Sequence, residues 1–291
     1  MKTTNLILLP VYGEAPYLNT AIESCLVQSE TNFLLLVLLD RPSQTSAETV
    51  RFYTDYDSRV VSAASPRAGL SATLNFGLSC VESDFVFRMD ADDIMSQDRL
   101  EKQLKVFREH EDIAILGGQA KYIGANSELL GKSWLPISYG VIYRTLVLSN
   151  PMIHPTLAFR RSALDLLDGY DDEFNSAEDL DLLLRARKLQ LKISNMPDYL
   201  LQYRRHQIQM THLDAAGNKF YTSLAYKKNE LVEKKLVEAR EHWVEFVSRR
   251  RPAAFFSLMA SKVGKRVFFP LLLDLLGLAV IRLRRRMQNS W

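Results

Sequence analysis

The chain has 291 residues, 47% of them hydrophobic, enough for one large α/β domain or a catalytic domain with a smaller appendage, and too apolar for a disordered chain. Its formal net charge of +3 hides an asymmetry, because residues 1–226 carry 22 Lys and Arg against 28 Asp and Glu, whereas residues 227–291 carry 15 against 6. The acidic body argues against a nucleic-acid enzyme, and the basic tail favours one end touching a charged surface, membrane or nucleic acid.

The N-terminus, Met1-Lys2-Thr3-Thr4-Asn5, runs straight into Leu6-Ile7-Leu8-Leu9 with no extended apolar leader and no small-residue cleavage site, so export by a signal peptide is not expected. Apolar runs then recur at 6–9, 34–39, 60–61, 85–89 and 113–116. Between them lie segments of helical period, carrying Ile22, Cys25 and Leu26, then Leu70, Leu74 and Leu78, then Leu100, Leu104 and Phe107. This βαβα pattern predicts an α/β fold with a mostly parallel sheet and helices on both faces. Cys25 and Cys80 fall in apolar stretches and read as core thiols. Two isolated cysteines form neither a disulfide framework nor a zinc pattern, which suits a reducing cytoplasm.

Glycines and prolines break the periodicity over 118–160, predicting loops, short strands and one helix near 138–149. A helix follows over 176–188, with short strands near 191–195 and 198–205. Beyond Asp214 the pattern is helical, with an amphipathic stretch carrying Val232, Leu236, Ala239, Trp243 and Phe246 that stops at Arg251-Pro252.

Open α/β sheets keep their ligands at the C-terminal ends of strands. There the run Phe85-Val86-Phe87-Arg88-Met89 delivers Asp90-Ala91-Asp92-Asp93. In extended backbone Asp90 and Asp92 share a face and could hold a hard divalent cation that also grips phosphates. The plainer alternative is a turn with Ser96 capping the next helix. The first strand ends in Pro10-Val11-Tyr12-Gly13-Glu14 and the second in Leu39-Asp40-Arg41-Pro42, on the same edge. Asp40 could accept a hydrogen bond from a nucleobase that stacks on Tyr12, or could simply start a turn before Pro42. Arg67 could reach a phosphate or stand solvated.

The ordered set of Pro10-Val11-Tyr12, Asp40, Gly69 with Asn75 and Gly77, Asp90-Ala91-Asp92-Asp93, and Ala177-Glu178-Asp179-Leu180 resembles the family 2 glycosyltransferases of the GT-A fold, over about residues 5–206. Asn150-Pro151-Met152-Ile153-His154-Pro155 and Tyr203-Arg204-Arg205-His206 are similar to two further segments of that family. The resemblance implies a GT-A domain, Rossmann-like with a mostly parallel sheet and flanking helices, over 1–215, and a helical, basic extension over 216–291. It implies that Pro10, Tyr12, Glu14, Asp40, Arg67, Asp90, Ala91 and Asp92 bind a nucleotide sugar, with Asp40 on the base. By the same likeness Asp90 and Asp92, with Asp93, hold Mn²⁺ or Mg²⁺ against the donor diphosphate. Asp179, rather than Glu178, takes the proton of the acceptor hydroxyl. His154, Glu178 and His206 are implied at the acceptor or diphosphate site, although a lone histidine more often serves as a core or loop hydrogen-bonding residue. One departure is that Leu39-Asp40-Arg41-Pro42-Ser43 lacks the family's first aspartate and its glycine.

The chemistry fits those assignments. A sugar hydroxyl is a weak nucleophile and a nucleoside diphosphate leaves with charge, so a carboxylate base is needed on one side and a cation on the other. A single base acting directly implies inversion at the anomeric carbon. Asp181, four residues before Arg185, is read as one half of an exposed helical ion pair.

The apolar stretch 267–281 is 15 residues, short of the roughly 20 that cross a bilayer. Lys262, Lys265 and Arg266 precede it and Arg282, Arg284, Arg285 and Arg286 follow it, so it suits the interface of an anionic membrane leaflet, or else packs on the body or on a second chain. The resulting expectation is a non-processive transferase, cytoplasmic and peripheral on the inner face of the cell membrane, moving a sugar from a UDP-linked donor to a glycan or lipid-linked glycan in cell-surface polysaccharide synthesis. Non-processivity rests on the lack of a Gln-x-x-Arg-Trp-like segment and of a transmembrane bundle. A sugar nucleotidyltransferase would need a glycine-rich phosphate loop after the first strand, and a haloacid-dehalogenase-like phosphatase an aspartate there; neither is present. A membrane-bound scaffold that binds nucleotide sugar without turnover is the non-enzymatic alternative.

Overall fold

The computed structural model describes residues 1–206 and 215–231. The apolar stretches 232–246 and 267–281, and with them the proposed membrane contact, lie outside the described residues. Among the described residues no helix is long and apolar enough to cross a membrane.

The first half is built as the periodicity predicts. Strands β1 (Lys2–Gly13), β2 (Leu34–Pro42), β3 (Val60–Ala64) and β4 (Glu82–Arg88) alternate with helices α1 (Leu18–Leu26), α2 (Gln44–Tyr56) and α3 (Leu70–Cys80). The strands pair in parallel in the order β3-β2-β1-β4. All their C-terminal ends therefore open on one edge. The sheet is buried on both sides: Leu6, Leu8, Leu36 and Leu38 face the layer containing α3, and Ile7, Leu9, Leu35 and Val37 face the layer containing α1 and α2. Gly77 lets α3 lie close to β2, since a Cβ there would meet a Leu38 methyl at 2.6 Å.

The second half is mixed. After β5 (Ile94–Met95) and α4 (Arg99–Glu109), strand β6 (Ile113–Ile123) forms a hairpin with β7 (Leu129–Lys132). Helix α5 (Tyr139–Thr145) follows, and then β8 (Ala158–Arg160), which inserts antiparallel between β4 and β6. Helices α6 (Arg161–Leu166) and α7 (Glu178–Lys188) precede β9 (Lys192–Arg204), which runs parallel to β6, and α8 (Ala215–Lys228) ends the described chain.

Four sequence expectations change. The two strands near 191–195 and 198–205 are one strand: the register jumps from Gly117 opposite Asn195 to Gln119 opposite Tyr199, so a bulge absorbs Pro197, which has no N–H for the ladder. Ser96 does not cap α4. Its hydroxyl donates to Tyr199 O at 2.9 Å, and Asp98 holds the cap position with its carboxylate on Lys102 at 2.8 Å and no capping bond. Cys80 is only half-buried, unlike Cys25, because α3 ends there at the sheet rim. The Asp181–Arg185 pair is not exposed, since Asp181 is 1% exposed and also accepts from Asn229 Nδ2 of the segment after α8.

Arg99 joins the two halves. It is fully buried, and its guanidinium donates to Gln103 Oε1 at 3.0 Å, Pro155 O at 2.7 Å, Arg88 O at 3.0 Å and Leu157 O at 3.2 Å. Burial pushes its pKa down to about 9, still above neutrality, so the cation persists. Gln103 Nε2 extends the contact to Leu116 O and Thr156 O. Replacement Arg99→Met strips donors from several buried carbonyls and is expected to cost roughly 3 kcal/mol in denaturant unfolding; a cost under about 1 kcal/mol would contradict this role.

Candidate functional site

The C-terminal ends of β1, β2 and β4 form one rim. Tyr12 pairs in register with Asp40, and Met89 N–H donates to Leu8 O, so the end of β1 sits between Asp40 and the acidic turn after β4. Asp40 is buried, and its Oδ2 accepts the N–H of Gly69 at 2.9 Å. Gly69 has φ +102°, open to glycine and strained for other residues, and it starts α3. Pro10 is half-buried in β1, Tyr12 is 59% exposed beside Asp40, and Glu14 is exposed just past the strand. Arg67 lies on the neighbouring loop, turned away into an exposed ion pair with Asp172 at 2.6 Å.

The acidic turn is held from below. Asp90, Asp92 and Asp93 bring carboxylate oxygens within 4.8 Å of one another. Asp90, with Ala91 half-buried beside it, is ion-paired to the buried Arg88. Asp92 Oδ2 lies 2.9 Å from His206 Nε2, and Asp92 O accepts from Arg204 Nε at 2.9 Å. Asp93 is 1% exposed and accepts Arg204 N–H at 2.8 Å, while its Oδ2 is buried with no hydrogen-bond partner among the described residues. Burial, and then the charges of Asp92 and Asp90, raise the Asp93 pKa well above that of an ordinary aspartate.

The third part of the site is the start of α7. Ala177 takes a left-handed conformation at φ +57°, a sparsely populated region for a residue with a Cβ, and this turn aims Glu178 and Asp179 in different directions. Glu178 points into the core: it is 6% exposed, with Oε1 3.2 Å from His154 Nδ1. His154 Nε2 lies 2.9 Å from the Tyr170 hydroxyl. Burial pushes the His154 pKa down to about 4, so the ring is neutral at physiological pH. Burial raises the Glu178 pKa; in its ionised form the carboxylate can only accept, which puts the proton on Nδ1 and leaves Nε2 to accept from Tyr170. Asp179 is half-buried. Its Oδ2 accepts from Asn150 Nδ2 and its Oδ1 from Leu180 N–H, both at 2.7 Å. Burial raises its pKa, with the neighbouring Glu178 charge adding to the shift.

The sequence-predicted residues thus fall into two groups. Asp40, Asp90, Asp92 and His206 gather on the strand rim, and His154, Glu178 and Asp179 at the α7 start. His154 and Glu178 spend their polar atoms on each other and on Tyr170, which makes them supports of the site more than contacts for a substrate. Arg88, Asn150, Tyr170 and Arg204 complete the site without having been singled out. Asn150 and Arg204 stood in segments quoted for the family likeness and Arg88 inside the acidic run, whereas Tyr170 carried no sequence signal.

Comparison with known proteins agrees with this architecture. The family described as glycosyl transferase family 2 matches residues 6–167. A curated relative, the O-antigen biosynthesis glycosyltransferase WbnJ of Escherichia coli, is 28% identical over 234 residues, covering 79% of this chain and 90% of the relative. Among solved structures, residues 1–349 of S. aureus TarS in complex with UDP-GlcNAc superpose with a TM-score of 0.64 at 19% identity, covering 89% of this chain and 76% of that 1–349 chain. The mannosyltransferase PcManGT of Pyrobaculum calidifontis, in complex with GDP-Man and Mn²⁺, gives a TM-score of 0.58 at 16% identity over 99% of this chain and 84% of its own. With a GT-A sheet, a family match spanning more than half its length and an acidic rim at the ends of its strands, the chain belongs to glycosyl transferase family 2.

Proposed function

We propose that the protein is an inverting, non-processive glycosyltransferase that moves one hexosyl group from a UDP-linked donor to a hydroxyl of a glycan or lipid-linked glycan during cell-surface polysaccharide synthesis. The observation that carries the reading is the meeting of Asp40 and the Asp90–Asp92 pair on one rim with Asp179 presented, half-buried, from α7. The relative named for O-antigen biosynthesis supports the pathway class, and the UDP-GlcNAc complex of TarS supports the nucleotide.

Each residue has a task in this scheme. The exposed ring of Tyr12 supplies a stacking face, and Asp40, with Oδ2 held by Gly69 and Oδ1 facing the exposed Arg41 at 3.9 Å, turns Oδ1 to a base N–H by displacing that long ion pair. Pro10, Glu14 and Ala91 line the donor groove, and Arg67 exchanges Asp172 for a donor phosphate. Asp90 and Asp92 would hold Mn²⁺ or Mg²⁺, whose hard-oxygen preference their carboxylates satisfy, and the buried, unpartnered Oδ2 of Asp93 marks an acid-rich pocket that such a charge relieves. When bound, that cation neutralises charge on the departing diphosphate. Asp179, fixed by Asn150 and Leu180, accepts the acceptor's proton as the new C–O bond forms and the bond to the diphosphate breaks, with the electron pair leaving on the nucleoside diphosphate. Because no second carboxylate forms a covalent intermediate, the anomeric centre inverts. His206 orients Asp92, and His154 with Glu178 fixes the α7 turn behind Asp179. The GT-A unit is assigned to 1–215 and the extension to 216–291; its start packs on the α7 wall through Ala225, Tyr226, Lys228 and Asn229, and its basic remainder is assigned to an anionic membrane surface on the cytoplasmic side, which would place the site near lipid-linked acceptors.

Calorimetry with UDP in the presence and absence of Mn²⁺ tests the donor half. Binding is expected to require the metal and to weaken on the order of 100-fold in Asp92→Ala, equivalent to about 2.7 kcal/mol; equal binding by that variant without metal would contradict the assignment. For the acceptor half, Asp179→Asn is expected to lower kcat by about 10²- to 10⁴-fold with UDP affinity unchanged. Because the Asp179 pKa is raised, kcat of the wild type is expected to fall on acidification at a pH above the ordinary aspartate range, as the base becomes protonated. A kcat flat down to that range would sink the role.

A further inference from the structure

The hairpin of β6 and β7 presents a surface that the reaction as described does not use. Three large apolar side chains are exposed on it close together: Leu129 at 60%, Leu130 at 55% and Trp134 at 50%. The register slips where Gly131 faces Tyr122 and Leu129 faces Ile123, so Leu130 is an extra residue and the two leucines stand side by side. Lys121 pairs directly with Lys132, and both are exposed on one side of the hairpin. The pairing continues through Ser133 N–H to Ala120 O at 2.8 Å, and Trp134 follows Lys132 on that side. Arg205 adds a third exposed cation at the turn end, its N–H donating to Ile123 O at 2.8 Å and its guanidinium 4.1 Å from the Tyr122 ring centre. Glu128 is the one acid between Lys121 and Trp134, and it turns back to accept the N–H of Asn126 at 3.1 Å.

Leucine and tryptophan set among lysines match an anionic lipid surface. Leucines enter the acyl boundary, tryptophan sits at its polar edge, and lysines lay their stems along the apolar layer with their ammonium groups at the headgroups. A second copy of the chain fits less well. The three side chains expose on the order of 300 Å², against roughly 800 Å² that each partner of a stable dimer buries. Strand β7 is also a short edge strand with a lysine on it and a slipped register, features that resist pairing with another strand. The hairpin lies beside the site, because Arg204 donates to Gly124 O at 3.0 Å, Ala125 O at 3.2 Å and Ser127 Oγ at 3.0 Å while its Nε holds Asp92 O. We propose that this hairpin is a membrane contact of the catalytic body, seated on an anionic phospholipid surface through Leu129, Leu130 and Trp134, with Lys121 and Lys132 at the headgroups. It serves as a second anchor beside the basic extension, since two weak signals hold a peripheral protein where one does not. The inference rests on the membrane part of the function proposed above and gives it an orientation: the acidic rim is held at the surface in which a lipid-linked acceptor is embedded.

The test uses the full chain, whose tryptophans are Trp134, Trp243 and Trp291, so the W243F/W291F variant reports on the hairpin alone. On vesicles of phosphatidylcholine with phosphatidylglycerol its emission is expected to shift to the blue and to be quenched by brominated acyl chains, with neither change on phosphatidylcholine alone. L129S/L130S is expected to lower partitioning into the mixed vesicles about 10-fold or more, and K121Q/K132Q to a similar extent. Both variants leave the donor rim intact, so their binding of UDP with Mn²⁺ stays at the wild-type level and shows that they are folded. Failure of the wild type to bind UDP would overturn the proposed donor site, whereas the vesicle readout does not depend on it. Vesicle binding with Trp134 emission unchanged would assign the membrane to the extension alone and overturn the proposal. Equal quenching on phosphatidylcholine alone would overturn it too, as would a blue shift without vesicles that grows with protein concentration, the mark of a second copy on the hairpin.

Discussion

Three buried guanidinium groups hold the acidic turn after β4, and the rest of the site depends on them. Arg99, Arg204 and Arg88 are 0%, 1% and 3% exposed. Left alone, the carboxylates of Asp90, Asp92 and Asp93, their oxygens within 4.8 Å, would repel one another and open the loop. Arg204 ties the turn to β9 through Asp92 O and Asp93 Oδ1, Arg99 ties the end of β4 to the His154–Thr156 turn, and Arg88 meets Asp90 directly. The fold thus concentrates negative charge at a rim while keeping positive charge beneath it, an arrangement suited to a divalent cation arriving with a phosphorylated ligand.

The opposite wall of the site follows a different rule. At the start of α7 two adjacent acids receive separate environments from one left-handed residue, Ala177. Glu178 turns inward to a neutral histidine and is consumed by structure. Asp179 stays half-buried with both oxygens oriented and its proton affinity raised by burial, the properties wanted in a general base. Behind them, Lys228 of α8 contacts Asp171 and Glu173, and Asn229 contacts Asp181, so the described end of the chain supports this wall as well.

Much of this was legible in sequence because it is local. Acids following an apolar run, an Asp closing β2 and a Glu-Asp pair opening a helix all leave short-range patterns, and the parallel half of the sheet follows from alternation alone. The unread parts are contacts over long separations. Strand β8 is three residues long, too short for a periodic signal, yet it converts the parallel sheet into a mixed one. No local pattern marks Arg99 or Arg204 as interior; only the packing of β4, β6 and the 154–156 turn makes them so. Tyr170 reaches His154 from a loop sixteen residues away. Asp181 looked like half of an exposed pair because its spacing to Arg185 reveals nothing of α8 lying over it.

The central claim is that the rim formed by Asp40, Asp90 and Asp92 is the donor site. An anomalous-difference map of crystals grown with UDP and Mn²⁺ tests it most directly. The account predicts a manganese peak at ligand distance, roughly 2.0–2.2 Å, from a carboxylate oxygen of Asp92 or Asp90, with the uracil beside Asp40 and Tyr12. Nucleotide bound elsewhere, or bound at this rim with manganese away from both carboxylates, would contradict it.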